Sequence, residues 1–403
     1  MAPVTSLVLP LLTLLSSQAS AVKLYAAHFS GSVYVLDATL PSSTSSAASI
    51  SMSSKASGCG VTPTWMYLEK DSRTMYCFDE SWAGSGVLST YSFPQGASSL
   101  TLQASAKTPG NSVHGSLYGG KDGKSFVITS EYSPSTITTY KLPITANSKS
   151  LQKLEFKMSA PGPRPDRQDK PHPHSAFTDP SGAFMVVPDL GADLTRIFRI
   201  DQSSGMLTSC GNIASLPGDG PRHGVFRSTG SGGSSALKYY SLNEVSSSVG
   251  VYDVTYPSSN STGCLGLSLK QTLSNYGPSV ALGNKLVKSA ELHISGSFLY
   301  ASNRNDSSLG FEQDSIATFK IDESDGKLSF VELANSYAYY PRSFAINKAG
   351  TYVAVGGQTT ANVAILERDT VTGKLGKRVA NLQLPPKGTY GGEDGLSFVE
   401  WDE

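Results

Sequence analysis

The sequence predicts an all-β protein, a seven-bladed β-propeller whose last blade is closed by strands from both termini. Three observations predict it. A phrase of short apolar strands and Gly-bearing turns recurs at a period of about 45–55 residues, the size of a four-stranded propeller blade. Helical periodicity of 3.6 is absent over any useful length. The two ends of the chain carry complementary, incomplete sets of strands.

The repeat is plainest in the second half. Ser175-Ala176-Phe177 leads to the turn Asp179-Pro180-Ser181-Gly182, and Phe184-Met185-Val186-Val187 and Thr195-Arg196-Ile197-Phe198 follow as strands. The same order returns at Leu292-His293-Ile294, Phe298-Leu299-Tyr300-Ala301 and Ile316-Ala317-Thr318-Phe319, and again from Phe344-Ala345-Ile346 to Val363-Ala364-Ile365-Leu366. Blades are expected to start near Thr62, Ser112, His174, Arg222, Ala290 and Arg342, which makes six complete units. The seventh joins the lone strand at residues 396–401 to the strands at residues 24–27 and 32–36. Closure of this kind leaves no open sheet edge.

Residues 1–21 read as a secretory signal peptide, with an apolar run at 7–15 and small residues ending Ala19-Ser20-Ala21. The run is shorter than the roughly 20 residues that cross a bilayer, so no membrane span is expected. Residues 22–403 form the propeller, expected to be exported and monomeric. Four cysteines fit an oxidising compartment. Of three connectivities, Cys59–Cys77 with Cys210–Cys264 is preferred, because each pair lies within one repeat or between neighbours. The spacing C-x-x-C of a metal site does not occur. Two sequons, at Asn260 and Asn305, offer glycosylation sites. Lys+Arg and Asp+Glu are 32 each, so no net field draws in nucleic acid or an anionic membrane.

In a propeller the first strand of each blade lines the axis and the second runs antiparallel to it. The start of the first and the end of the second therefore share a face. At strand starts stand His172, His174, Arg222, His223, Glu291 near His293, and Arg342. At the ends of second strands stand Asp189-Leu190, Asn243-Glu244, Asn303-Arg304 and Gly357-Gln358. Guanidinium groups offer a fixed fork of donors to carboxylate or phosphate, and His or Glu can move a proton. The cluster suits an anionic, oxygen-rich small molecule such as a carboxylic acid. His28 and His114 have no visible partner in the sequence and are read as structural.

At these residues the chain resembles the lactonase-type propeller family that includes bacterial 6-phosphogluconolactonase and fungal 3-carboxy-cis,cis-muconate cyclase. The matching phrases are Arg167-Gln168 ahead of Pro171-His172-Pro173-His174-Ser175, Pro188-Asp189-Leu190-Gly191-Ala192-Asp193, Gly220-Pro221-Arg222-His223, Asn243-Glu244, Ser302-Asn303-Arg304 and Pro341-Arg342-Ser343-Phe344. They span residues 164–375 in order, whereas residues 22–161 match only in general shape.

The resemblance implies a site at the channel mouth, with His174 (or His172), Arg222, Glu244 and Arg304 as its active centre. His172, His223 and Arg342 are expected to bind substrate. No cofactor and no metal are expected. The implied activity is hydrolysis of 6-phosphogluconolactone or a related sugar lactone. The alternatives are lactonising 3-carboxymuconate cycloisomerisation, or a non-catalytic secreted or cell-surface binding glycoprotein. Two departures, a Gly-rich insert at residues 228–235 and a polar stretch at 307–314, are placed to reshape substrate access.

Overall fold

The computed structural model describes residues 20–41, 47–230, 236–258, 262–278 and 287–403. Residues 1–19 of the expected signal peptide at 1–21 and the sequon at Asn260 lie outside them, whereas Ser20 and Ala21 begin a strand, paired with Leu40 and Thr39. The described chain forms seven four-stranded antiparallel sheets. Six are built from consecutive strands, and are numbered here blade 2 to blade 7. Blade 1 has the order Leu396–Trp401, Ser20–His28, Ser32–Leu40, Ser49–Ala56, so the C-terminal strand is innermost and the N-terminal segment supplies the other three.

The innermost strands of blades 2 to 7 are Pro63–Glu69, Ser112–Tyr118, Phe177–Thr178, Pro221–Thr229, Lys288–Ser295 and Pro341–Ile346. The expected blade starts fall within three residues of these. Blade 4 departs most, because Pro171 and Pro173 have no N–H to give a ladder. Its inner strand keeps two residues, and Pro173 touches Asp189 only through an isolated bridge, so His172 and His174 stand on extended chain ahead of the strand.

The apolar core is divided among the junctions between blades. Seven buried clusters occur, one at each junction, and every cluster mixes side chains of two neighbouring sheets. Trp401 shows why closure matters. It is 1% exposed in the junction of blades 7 and 1, and its indole N–H donates to the Ala345 carbonyl at 3.0 Å. Burial of a side chain this large is worth about 3 kcal/mol or more. The ring is thus locked by a residue two positions from the end of the chain.

The expected disulfides form. Cys59–Cys77 ties the connection into blade 2 to that blade's second strand, and Cys210–Cys264 joins the outer edges of blades 4 and 5. Of the Gly-rich insert, residues 228 and 229 end the inner strand of blade 5, at the end opposite Arg222. Residues 231–235 lie outside the described chain. The stretch at 307–314, by contrast, follows Arg304 directly on the arginine face.

Candidate active site

The sequence phrases around the site are first a scaffold. Asp189 ends the second strand of blade 4; its carboxylate accepts the His172 N–H at 2.7 Å and the Arg196 Nε–H at 2.8 Å. Gln168 donates to the Leu190 carbonyl and to Asp193. Asp193 in turn accepts from the N–H groups of Gly218 and Gly220 at 2.7 and 2.8 Å, which sets the entrance to blade 5. Gly191 is required here: a Cβ would lie 1.8 Å from the Lys170 carbonyl and 2.8 Å from the His172 ring. These bonds press the connection of residues 164–172 onto blade 4, and that connection carries Arg167 to the axis.

At the axis three arginines converge on one carboxylate. Glu244 Oε2 lies 2.8 Å from Arg304 Nη2 and 3.0 Å from Arg222 Nε, while Arg167 donates to Oε1. The Arg222 contact is an ion pair out of line for a hydrogen bond. Blades 5 and 6 and the connection between blades 3 and 4 each contribute. Glu244, Arg222 and Arg304 are all buried. Burial alone would raise the Glu244 carboxyl, but Arg167, Arg304 and Arg222 together hold it well below the usual carboxylate range. Burial, then Arg304, pushes the Arg222 guanidinium down to about 9, so it stays cationic at neutral pH. Lys288 stands beside the cluster, pushed down to about 8 by burial and by Arg167 and Arg304. With Arg164, Asp166, Arg167, Glu244, Val245 and Val287 it lines a cavity of about 130 Å³.

Positive charge is therefore in surplus. Among the described residues the Nε groups of Arg167, Arg222 and Arg304 are buried without a hydrogen-bond partner. A buried donor left in that state costs free energy unless a ligand or water satisfies it.

The histidines separate into roles. His172 is stacked on Tyr132 at 4.0 Å, and its nitrogens meet the Tyr132 carbonyl at 3.0 Å and Asp169 at 2.8 Å. Both ring nitrogens of His172 are taken up by the scaffold. His174 is buried, burial and Arg222 push it well below its ordinary value, and its Nδ1 lacks a partner among the described residues. His223 bridges Arg222 of the cluster and Glu291. Its Nδ1 meets Glu291 Oε1 at 2.9 Å, and its Nε2 meets Arg222 Nη1 at 3.1 Å. A carboxylate only accepts, so Nδ1 carries the proton and Nε2 receives Arg222.

Arg342 belongs to a neighbouring ion-pair set, 2.8 Å from Glu80 and 3.1 Å from Glu393. His28 is structural as expected, held by Ser30 N–H and the Pro386 carbonyl. His114 is held by the Ala176 N–H but also lines the channel against Trp65, a placement the sequence had not suggested. Asn305 follows Arg304, and its amide oxygen accepts from the hydroxyls of Tyr339 and Tyr390 at 2.8 and 2.9 Å. Sequence reasoning missed Arg167 and Lys288 as members of the cluster. The phrase Arg167-Gln168 was the available signal for the first. Lys288 had none.

The fold and cluster define a seven-bladed propeller with a buried cationic site at one mouth of its channel. The family model for the lactonase seven-bladed β-propeller matches residues 22–389, and the chain belongs to that family. It is 31% identical over 316 residues to a protein of Arthroderma benhamiae named "Probable 6-phosphogluconolactonase", covering 78% of this chain and 75% of the relative. A 6-phosphogluconolactonase of Bacillus subtilis is 26% identical over 80% of this chain and 85% of its own. Among solved structures, the Pseudomonas aeruginosa periplasmic gluconolactonase shares the fold with a TM-score of 0.76 at 23% identity, covering 95% of this chain and 99% of that one.

Proposed function

We propose that the protein is an exported lactonase that hydrolyses 6-phosphogluconolactone or a related sugar lactone to the open acid. The observation that carries this is the surplus of buried guanidinium groups around Glu244, with unsatisfied donors, close enough to the buried His174 that Arg222 and Arg304 both help to hold its imidazole neutral. Such a site selects an anionic, oxygen-rich molecule.

In this reading Glu244 is a positioning residue. Both its oxygens are committed to arginines, and a carboxylate held so far below its usual range is a poor base. His174 is the base. Neutral and with a bare Nδ1, it takes a proton from water as the water oxygen attacks the lactone carbonyl carbon. Arg222 and Arg304 stabilise the oxyanion that forms. The ring C–O bond then breaks, and the proton on His174 passes to the departing ring oxygen, leaving a hydroxy acid. Arg167 and Lys288, at the small outer cavity, hold the anionic end of the substrate. Export is supported by the two disulfides, which persist in oxidising compartments.

The test is direct. Purified protein is given 6-phosphogluconolactone and, separately, glucono-1,5-lactone, and acid release is followed against buffer alone. Acceleration abolished by Arg222→Ala supports the reading. Hydrolysis of neither lactone above the buffer rate refutes it.

A further inference from the structure

Below the arginine cluster the channel is plugged by rings. Trp65 packs on His114 at 4.3 Å and on His223 at 5.4 Å, and His114 meets His223 at 5.4 Å. Beyond this plug lies a second cavity of about 710 Å³, open toward the face opposite the arginines. The turns at residues 119–123 and 179–182 rim it. Its inner wall includes Trp65, Phe177, Phe226, Glu291 and His293, and an adjoining lobe of about 270 Å³ adds Phe344, Phe398 and Glu400. Cavities of several hundred Å³ with apolar walls and a few polar groups are the usual form of a small-molecule site.

The two ends of the channel differ in sign. The deep wall of this cavity offers the Glu291 carboxylate, with Glu400, whose carboxyl burial pushes up to about 7, in the adjoining lobe, where the other mouth offers arginines. His114 and His223 are held neutral, burial pushing each well below its ordinary value. Lys70 lines the smaller lobe and donates to the Glu403 carbonyl, and Lys121 and Asp122 stand together at the rim of the larger one.

Glu291 is 3% exposed, and its Oε1 accepts from His223 Nδ1 and from the Leu292 N–H at 3.0 Å. Among the described residues no donor reaches Oε2, although Glu291 lines both lobes. A carboxylate on a cavity wall with one oxygen left without a donor is an acceptor open to a cation that enters the cavity.

We propose that this far cavity is a second ligand site, for a small organic ammonium ion whose charged nitrogen meets Glu291 Oε2 and whose apolar body lies against Phe177 and Phe226. The site is distinct from the arginine cluster, because the ring plug stands between them and a lactone acid would meet like charge here.

Titration calorimetry on the purified, disulfide-bonded protein at pH 7 tests this with benzylamine and its neutral isostere benzyl alcohol. Benzylamine is expected to bind at least tenfold tighter than the alcohol. Glu291→Gln is expected to erase that preference while near-UV circular dichroism stays that of the folded protein. Should Glu291→Gln not fold, Thr178→Trp, which fills the cavity from its wall, must remove benzylamine binding. Equal binding of amine and alcohol, or binding of neither, overturns the proposal. So does a preference that survives in folded Glu291→Gln, or benzylamine binding that survives Thr178→Trp.

Discussion

Arg304 Nη2 lies 2.8 Å from Glu244 Oε2, and the blade-6 arginine thereby reaches the carboxylate just past the second strand of blade 5. Arg222 and Arg167 close on the same carboxylate from blade 5 and from the connection into blade 4. Desolvating these ions costs several kcal/mol each, and Glu244 is the group that offsets the mutual repulsion of the guanidiniums. Glu244→Gln is therefore expected to lower stability by about 3–5 kcal/mol, the range for removing one partner of a buried ion cluster. Chemical denaturation measures it, and a loss below about 1 kcal/mol would show that Glu244 does not hold the arginines together.

His174 makes a prediction about pH. Burial and Arg222 depress its folded pKa well below the ordinary 6.5, so the neutral, proton-accepting form persists on the acid side of neutrality. A base works only unprotonated, so kcat/KM should not decline as pH falls from 8 through 6.5, where Lys288 gains its charge, and should drop only below that. An unperturbed histidine would already be half lost at pH 6.5. His174→Ala is expected to lower kcat by about 10²–10⁴-fold with little change in KM. An acid limb centred at 6.5 or above would remove His174 from the role of base.

Glu131 predicts the opposite dependence for stability. It is fully buried on the second strand of blade 3, close to the hydroxyls of Thr136 and Thr138 at 2.8 and 3.0 Å. Burial pushes its carboxyl up to about 8. Between the ordinary value of 4.5 and about 8 the unfolded chain ionises this group while the folded chain keeps it protonated. The folded state then binds the extra proton, so stability falls as pH rises through that window. Glu131→Gln removes the penalty. It is expected to stabilise the protein by about 1–3 kcal/mol at pH 8 and by much less at pH 5, read from thermal unfolding at both.

Much of the ring was legible because blades repeat. The turns Asp179-Pro180-Ser181-Gly182 and Asp325-Gly326 mark strand ends by local chemistry, and aligning them places Arg222, Glu244 and Arg304 on one face without any long-range knowledge. What the repeat does not encode is the connection at residues 156–176, which has no counterpart in the other blades. Arg167 reaches Glu244 only because Gln168 and His172 bind Leu190, Asp193 and Asp189. Strand starts grouped His223 with Arg222, and its Nε2 does meet Arg222 Nη1, but they did not show that its other nitrogen binds Glu291. Successive residues of a strand point to opposite sides, and a register shift between Pro221 and His223 turns that ring toward Glu291.

The disulfide between Cys210 and Cys264 separates stability from the site. Its cysteines lie 54 residues apart in sequence, one on the outer strand of blade 4 and one just ahead of the outer strand of blade 5. The arginine cluster lies at the inner edge of the same junction, where Asp193 binds Gly218 and Gly220 independently of the cysteines. Closing a loop of that length restricts the unfolded chain and contributes about 2–4 kcal/mol. The double substitution Cys210→Ser with Cys264→Ser is expected to lower stability by that amount. At 25 °C it should leave kcat/KM for a lactone substrate within about twofold, since the fold below its melting point keeps the inner bonds. Denaturation and initial rates on the same preparation give both numbers. A tenfold loss of activity in a still-folded double variant would show that the outer edge of the junction controls the arginines after all.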